Sequence, residues 1–170
     1  MSIESGSFDN QIAKITGNFN NPKCVAEAAL EVQREAKNNA PAVTGDLRNN
    51  IYMNAETTDE GVTAEVYTPP GHYAYFVEVG TGRKGAENHG GISPNVSPAY
   101  KLEPWWINES QIDPGVAERY HWMFIDTPDG RFYKCDGQAA QPFLYPALAD
   151  NKQMVLDILR KGFNKALEAK

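Results

Sequence analysis

Glu78 is the ionisable residue with the most unusual sequence setting in this chain. It lies between the apolar run 73–77 and Val79, and an unpaired carboxylate in such a segment costs free energy. The sequence offers two partners, Arg48 and the main-chain N–H groups of the turn at 80–82. A structural pair is favoured over catalysis, because a general acid or base needs a second titratable partner that no motif identifies. A small hydrolase using Glu78 and a histidine stays open as an alternative.

A glycine-rich segment follows Glu78 directly. Residues 80–85, Gly-Thr-Gly-Arg-Lys-Gly, match G-x-G-x-x-G after a predicted strand. A dinucleotide site also needs a helix that begins at this turn. The next residues are rich in Gly, Asn and Pro, so we expect no helix there and interpret the segment as a turn that leaves a central strand.

The remaining chemistry-bearing residues form no recognisable site. His72, His89 and His121 have no His or Cys partner at metal-ligand spacing. Cys24 and Cys135 are too few for a disulfide framework, and two buried thiols are favoured over one bridge. We therefore expect no metal and no cofactor.

Composition and charge limit the partners. The chain has 170 residues, with 16 basic and 22 acidic side chains and a net charge of −6. One domain over residues 1–170 is expected, and an acidic chain is a poor match for nucleic-acid phosphates. No apolar run is long enough for a transmembrane helix, and the N-terminus has no secretory pattern.

Two surface features are candidate interfaces. The adjacent Trp105 and Trp106 point to opposite sides of an extended segment, so one of them is expected to be exposed. Glu27, Glu31 and Glu35 are spaced four residues apart on a predicted helix. One interpretation is a solvated face, in which Lys23 and Arg34 partly offset the repulsion between the carboxylates. The other is an acidic stripe that binds a basic neighbour or repels DNA.

The elements that position these residues predict an α+β fold. Its antiparallel sheet contains a three-strand meander plus a hairpin, packed by a helix in the N-terminal half and a long C-terminal helix. The predicted elements, in chain order, are a short helix with Phe8, Ile12 and Ile15; a helix from Pro22 to the 38–41 segment; strands 47–56, 62–67 and 73–79; a long loop or insertion at about 83–118; a hairpin of 118–125 and 131–135; and a helix opened by Pro146 and ending near residue 169.

Three ordered motifs resemble a known family. The first, 40–51, contains Pro41, Thr44, Gly45, Leu47 and Arg48. The second, 73–82, contains Tyr73, Glu78, Gly80, Thr81 and Gly82. The third, 141–148, contains Pro142, Phe143 and Pro146. In this order they resemble the small neck proteins of long-tailed bacteriophages, the head–tail joining or tail-completion family.

The resemblance implies a non-enzymatic virion protein, made in the bacterial cytoplasm. It implies a homo-oligomeric ring, commonly of six copies, between the head-closure ring and the tail terminator or tail tube. Double-stranded DNA would pass through the opening without sequence-specific binding, and no membrane is involved. The alternative within the same class is the tail terminator or another tail-tube ring.

Overall fold

The computed structural model describes residues 2–5, 13–17, 22–41, 45–59, 61–112, 115–119 and 121–168. The strands are β1 Ser2–Ser5, β2 Ala13–Gly17, β3 Tyr52–Thr58, β4 Gly61–Tyr67, β5 Trp105–Asn108, β6 Phe124–Thr127 and β7 Gly130–Cys135. The helices are α1 Pro22–Asn39, α2 Asp46–Asn49, α3 Ala74–Val79, α4 Gly82–Glu87, α5 Val116–Arg119, α6 Leu144–Ala149 and α7 Lys152–Glu168. A 3-10 turn occupies Glu109–Gln111.

A four-stranded antiparallel sheet forms one layer of the main body. Its strand order is β1-β2-β4-β3, and Val66 of β4 lies opposite both Ala13 of β2 and Met53 of β3. Val62, Ala64 and Val66 are buried, while the residues between them are half-buried. This period of two is the pattern of a strand with one face on the core, and it confirms the predicted strand at 62–67.

Helix α1 forms the second layer and is the centre of the core. It packs against β3 and β4 on one side and against α6 and α7 on the other. Its buried residues recur at the spacing of one helical face, as predicted: Val25, Ala28, Ala29, Val32 and Ala36. These small side chains let the neighbouring elements approach closely. Phe143, Val155 and Leu159 complete the core from α7 and from the residue that precedes α6.

The α+β class is confirmed, but the predicted third strand at 73–79 is wrong. Residues 74–79 form helix α3, in which Ala74, Val77 and Glu78 are buried and Phe76 is exposed. The spacing i, i+3, i+4 is helical. A short run that is apolar on both sides fits a buried strand and a buried helix equally well, and here the tertiary contacts select the helix.

Three other predicted boundaries differ from the structure. The segment predicted as the start of the first strand forms helix α2 at Asp46–Asn49, and the strand begins at Tyr52. The predicted N-terminal helix is wrong at Ile15, which lies in strand β2, paired with β4. Phe8 and Ile12, the other two residues of that prediction, lie outside the described residues. The predicted C-terminal helix is divided between Ala149 and Lys152 into α6 and α7, and Pro146 lies inside α6.

Residues 83–135 form a long excursion, which we call the arm. The predicted loop at 83–118 contains most of α4, β5, the 3-10 turn and part of α5. A hairpin is confirmed, as β6–β7, and its second strand lies where it was predicted. Its first strand, predicted at 118–125, begins only at Phe124, and residues 118 and 119 lie in α5. Strand β5 adds to this hairpin to give a second antiparallel sheet, of order β5-β7-β6. Of the residues in these three strands, only Cys135 is buried. The arm sheet therefore has no face of its own in the core.

Candidate functional site

Glu78 caps the segment that begins helix α6. Its Oε2 accepts hydrogen bonds from the N–H groups of Phe143 at 2.8 Å and Leu144 at 3.0 Å, and its Oε1 accepts one from Tyr145 at 2.9 Å. Glu78 is only 6% exposed. A negative charge at a helix N-terminus satisfies N–H groups that have no partner within the helix. Neither predicted partner was correct: the carboxylate joins the second motif to the third across 65 residues of chain.

Arg48 and His72 form hydrogen bonds with other residues, Ala40 and Asp46, and not with Glu78. The Nε of Arg48 donates to the carbonyl of Ala40 at 3.2 Å, which ties α2 to the end of α1. His72 Nε2 lies 3.0 Å from Asp46 Oδ2, and its Nδ1 accepts the Ala74 N–H at 3.2 Å. Both oxygens of Glu78 and both ring nitrogens of His72 thus have structural partners, which leaves these two groups in structural roles.

The glycine-rich turn is a crossing of two chain segments. Thr81 pairs with Gln138 as an isolated bridge, and Lys84 N–H donates to the Asp136 carbonyl. A Cβ on Gly82 would lie 2.6 Å from the Asp136 oxygen, and one on Gly137 would collide with the Thr81 carbonyl. Close main-chain contact therefore requires glycine at this crossing.

The expectation that no helix begins at this turn was wrong, because α4 starts at Gly82. The preceding element is helix α3, however, so the strand–turn–helix context of a dinucleotide fingerprint is absent from this turn. Gly80 has its own packing constraint, since a Cβ there would lie 2.7 Å from the Ala140 nitrogen. The crossing joins the two ends of the arm to the main body.

The remaining motif residues support the main body. Leu47 is buried in the core, and Phe143 is completely buried. Gly45 precedes α2 with a φ of +80°, a left-handed conformation that favours glycine. Pro41 and Pro142 are half-buried. Thr44 lies outside the described residues.

An apolar groove of about 680 Å³ separates α3 from the arm. Aromatic and small apolar side chains dominate its wall, and Lys101 is the charged residue among those that line it. Its lining includes Tyr75, Phe76, Val79, Tyr100, Lys101 and Trp105.

The far wall of this groove is held in place by Tyr100. Its hydroxyl donates to the Val79 carbonyl at 2.8 Å, and its ring stacks on His89. Burial raises the pKa of Tyr100, and burial together with the neighbouring Tyr100 raises the pKa of Tyr75. Both phenols are therefore neutral at physiological pH, and the groove presents an apolar surface with one cation, Lys101, 5.9 Å above the Trp105 ring.

Sequence reasoning missed this groove. Tyr75 and Phe76 were assigned to a strand, and Tyr100 was one of many aromatic residues in a segment without periodicity. The signal that could have found it is the helical spacing in 73–79, where exposed Tyr73 and Phe76 lie three residues apart. The contact between Tyr100 and Val79 has no sequence signature.

The arm sheet has two distinct faces, defined by its register. Cross-strand pairs place Trp105, Phe124, Tyr133 and Arg131 on one face. There the Arg131 guanidinium lies 4.1 Å from the Phe124 ring centre and bonds Asp126 at 2.8 Å, which lowers the pKa of Asp126.

The opposite face carries Trp106, Ile125, Phe132 and Lys134. Trp106 is 45% exposed and Trp105 is half-buried in the groove wall, as expected for neighbours in a strand. Met123, which precedes β6, is 64% exposed. A sheet with apolar residues open to solvent on both faces is typical of a protein–protein contact.

The three glutamates on α1 are largely neutralised. Arg34 lies 2.6 Å from Glu31 and 3.3 Å from Glu35, and Glu27 is exposed. Lys23 and Lys37 lie on the same helix, so its charges balance. This arrangement favours a solvated face over an acidic stripe.

Neither cysteine has the setting of a nucleophile or a ligand. Cys24 and Cys135 are buried thiols outside any disulfide, and burial is the main cause that raises the pKa of each thiol. Among the residues that the structure describes, no three His, Cys, Asp or Glu side chains are grouped to hold a metal ion. No helix in the described ranges is long and apolar enough to cross a membrane.

Comparison with family models gives a match in the N-terminal half of the chain. Residues 7–80 match the family model HK97-gp10_like, described as "Bacteriophage HK97-gp10, putative tail-component". The chain is similar to a phage tail component. The match contains the first motif and most of the second, and it confirms the predicted resemblance to phage neck and tail-completion proteins.

The HK97-gp10-like match covers less than half of the chain and ends at Gly80, three residues before the arm. Comparisons with curated proteins and with solved structures gave no significant match. The matched description is that of a structural component of a bacteriophage tail.

Proposed function

We propose that this chain is a neck protein that forms a ring between the phage head and tail, completes the tail and leaves a passage for DNA. The observation that carries the proposal is the match of residues 7–80 to a phage tail component. The exposed arm sheet supports assembly, because a three-stranded sheet without a buried face gains stability from a partner.

The contacts within the ring are of the head-to-tail kind, in which one patch meets a different patch on the next copy. The arm and the main body supply two such unlike surfaces. Six copies are the number that the family resemblance implies. Each copy carries a net charge of −6, and an opening lined by this excess of acidic side chains would have little of the Lys/Arg neutralisation that retains DNA.

The test is removal of the gene from the phage. We expect DNA-filled heads and separate tails of normal length in electron micrographs, and infectious particles after complementation with the wild-type gene. Joined, infectious particles without the protein would refute the proposal. Mass photometry of the purified chain, or of disrupted particles, measures the copy number.

The tail terminator is the second candidate, because the family description names a tail component without specifying its position. The same deletion separates the two functions. Loss of a terminator leaves the tube end open to further polymerisation, so tail tubes would vary in length. Tubes of uniform length favour the neck.

A further inference from the structure

We propose that the groove receives the β6–β7 hairpin of a second copy of this chain. The inference rests on the proposed ring function and deepens it, by naming the two patches that meet in each subunit contact. The acceptor is the groove between α3 and the arm. The donor is the segment 123–129, which runs from Met123 through β6 into the hairpin turn.

The groove and the hairpin match in polarity. The groove wall is aromatic and apolar around a volume of about 680 Å³, which lies within the range of ~300–1,000 Å³ for pockets that bury a compact group. The donor presents three consecutive exposed apolar residues, Met123, Phe124 and Ile125. The register places Phe124 and Ile125 on opposite faces of the arm sheet, so each face of the hairpin offers one of these two side chains to the groove. Water leaves apolar surface on both partners when they meet.

The charges are also complementary. Lys101 is the cation in the groove wall and lies over the Trp105 ring. The donor ends with Asp126 and the exposed Asp129 of the turn. Asp126 is already bonded to Arg131 within its own arm, so Asp129 is the carboxylate assigned to Lys101 of the neighbouring copy.

The hairpin of the same chain projects away from its own groove. Trp105 in the groove wall is paired with Cys135, at the base of the arm sheet. The turn lies at the opposite end, where Thr127 pairs with Gly130. Cys135 is five positions along β7 from Gly130, a distance of about 17 Å. The turn that carries Asp129 therefore lies at the far end of the arm sheet from the groove of its own chain, whereas Met123 accepts the Lys134 N–H at the base. The groove of a second copy is accordingly the one assigned to Asp129, in a contact between unlike patches.

A mixed cross-linking experiment tests the contact. Full-length Lys101→Cys and Asp129→Cys chains are oxidised separately and after mixing, and dimers are measured on a non-reducing gel. We expect the mixture to form a cross-linked dimer at least about tenfold more than either variant alone, because a head-to-tail contact joins unlike positions. The native thiols are buried. Equal cross-linking in the single variants, or none in the mixture, overturns the proposal.

A charge exchange gives an independent measurement. Lys101→Glu and Asp129→Lys should each weaken association by about tenfold, and the double variant should recover most of it. The exposed Lys152→Glu on α7 is the matched control and should assemble as the wild type does. Far-UV circular dichroism verifies that every variant is folded. A double variant no better than the single ones contradicts the assigned pair.

The results distinguish this contact from the ring function itself. Rings that form without the cross-link overturn the groove contact and leave the neck function intact. If the purified chain does not assemble, the same cross-link is sought in phage particles that carry both variants, and its absence there overturns the proposal. Joined particles formed without the protein refute the neck function instead.

Discussion

Replacing Glu78 by alanine removes the acceptor of three main-chain N–H groups at once. Two of the donors, Phe143 and Leu144, are buried, and Tyr145 is half-buried. Each buried N–H left without a partner costs about 1–3 kcal/mol. Two effects reduce the total cost of the three unpaired N–H groups. The mutant no longer desolvates a buried carboxylate, and water can reach the half-buried Tyr145 N–H.

We therefore expect Glu78→Ala to lower the free energy of unfolding by about 3–5 kcal/mol. Glu78→Gln retains one oxygen, which can serve the two donors that now share Oε2, and leaves the Tyr145 N–H opposite an amide. It should cost less, about 1–3 kcal/mol. The order wild type, Gln, Ala is the signature of a main-chain cap.

Urea unfolding followed by far-UV circular dichroism measures both variants, with the m-value as the check on two-state behaviour. Glu87→Ala, which removes an exposed carboxylate from α4, is the matched control and should change stability by less than about 0.5 kcal/mol. A Glu78→Ala chain as stable as this control would refute the capping role. Equal losses for Gln and Ala would show that the charge matters more than the number of acceptors.

Three further predictions concern other parts of the fold. Gly137→Ala should cost about 2–4 kcal/mol, because its φ of +89° and the opposing carbonyl at the chain crossing exclude a side chain, whereas Gly90→Ala has open space and should be neutral in the same urea assay. Cys24 and Cys135 should react with a thiol reagent only as the chain unfolds. Burial raises both thiol pKa values, so the unfolded chain ionises first and stability should fall as pH rises above about 8.5; constant stability up to pH 10 would contradict this. Arg48→Ala should cost about 0.5–1.5 kcal/mol through the lost bond from α2 to α1, and an unchanged melting curve would contradict it.

The arm is the part of the protein for which composition was least informative. Segment 83–104 of the arm is rich in glycine and proline and has no hydrophobic period. The two ends of the arm nevertheless meet at the crossing, and the Tyr100 hydroxyl donates to the Val79 carbonyl. Long-range main-chain contacts of this kind depend on where the chain returns. Glycines at 80, 82 and 137 allow the two main-chain segments to come close together at the crossing. The sequence alone does not show that these glycines face one another.

The sequence by itself determined the elements whose burial follows a clear period. Helix α1 and strand β4 bury residues at spacings of 3.6 and 2, and each was predicted from its own residues. The α+β class and the resemblance to phage neck proteins also came from the sequence, since they depend on the order of elements and on short motifs.

Only the tertiary structure decided the state of 73–79 and the partner of Glu78. A seven-residue run that is apolar except for Glu78 fits a strand and a helix equally well, so the choice depends on what packs against it. The sequence predicted Arg48 or the 80–82 turn as the partner of Glu78. The N–H groups that donate to its carboxylate belong to residues 143–145. A buried carboxylate is stabilised by the donors that the fold brings within about 3 Å. The hydrogen-bond energy depends on this distance in space and not on the separation along the sequence, so sequence patterns do not identify the partner.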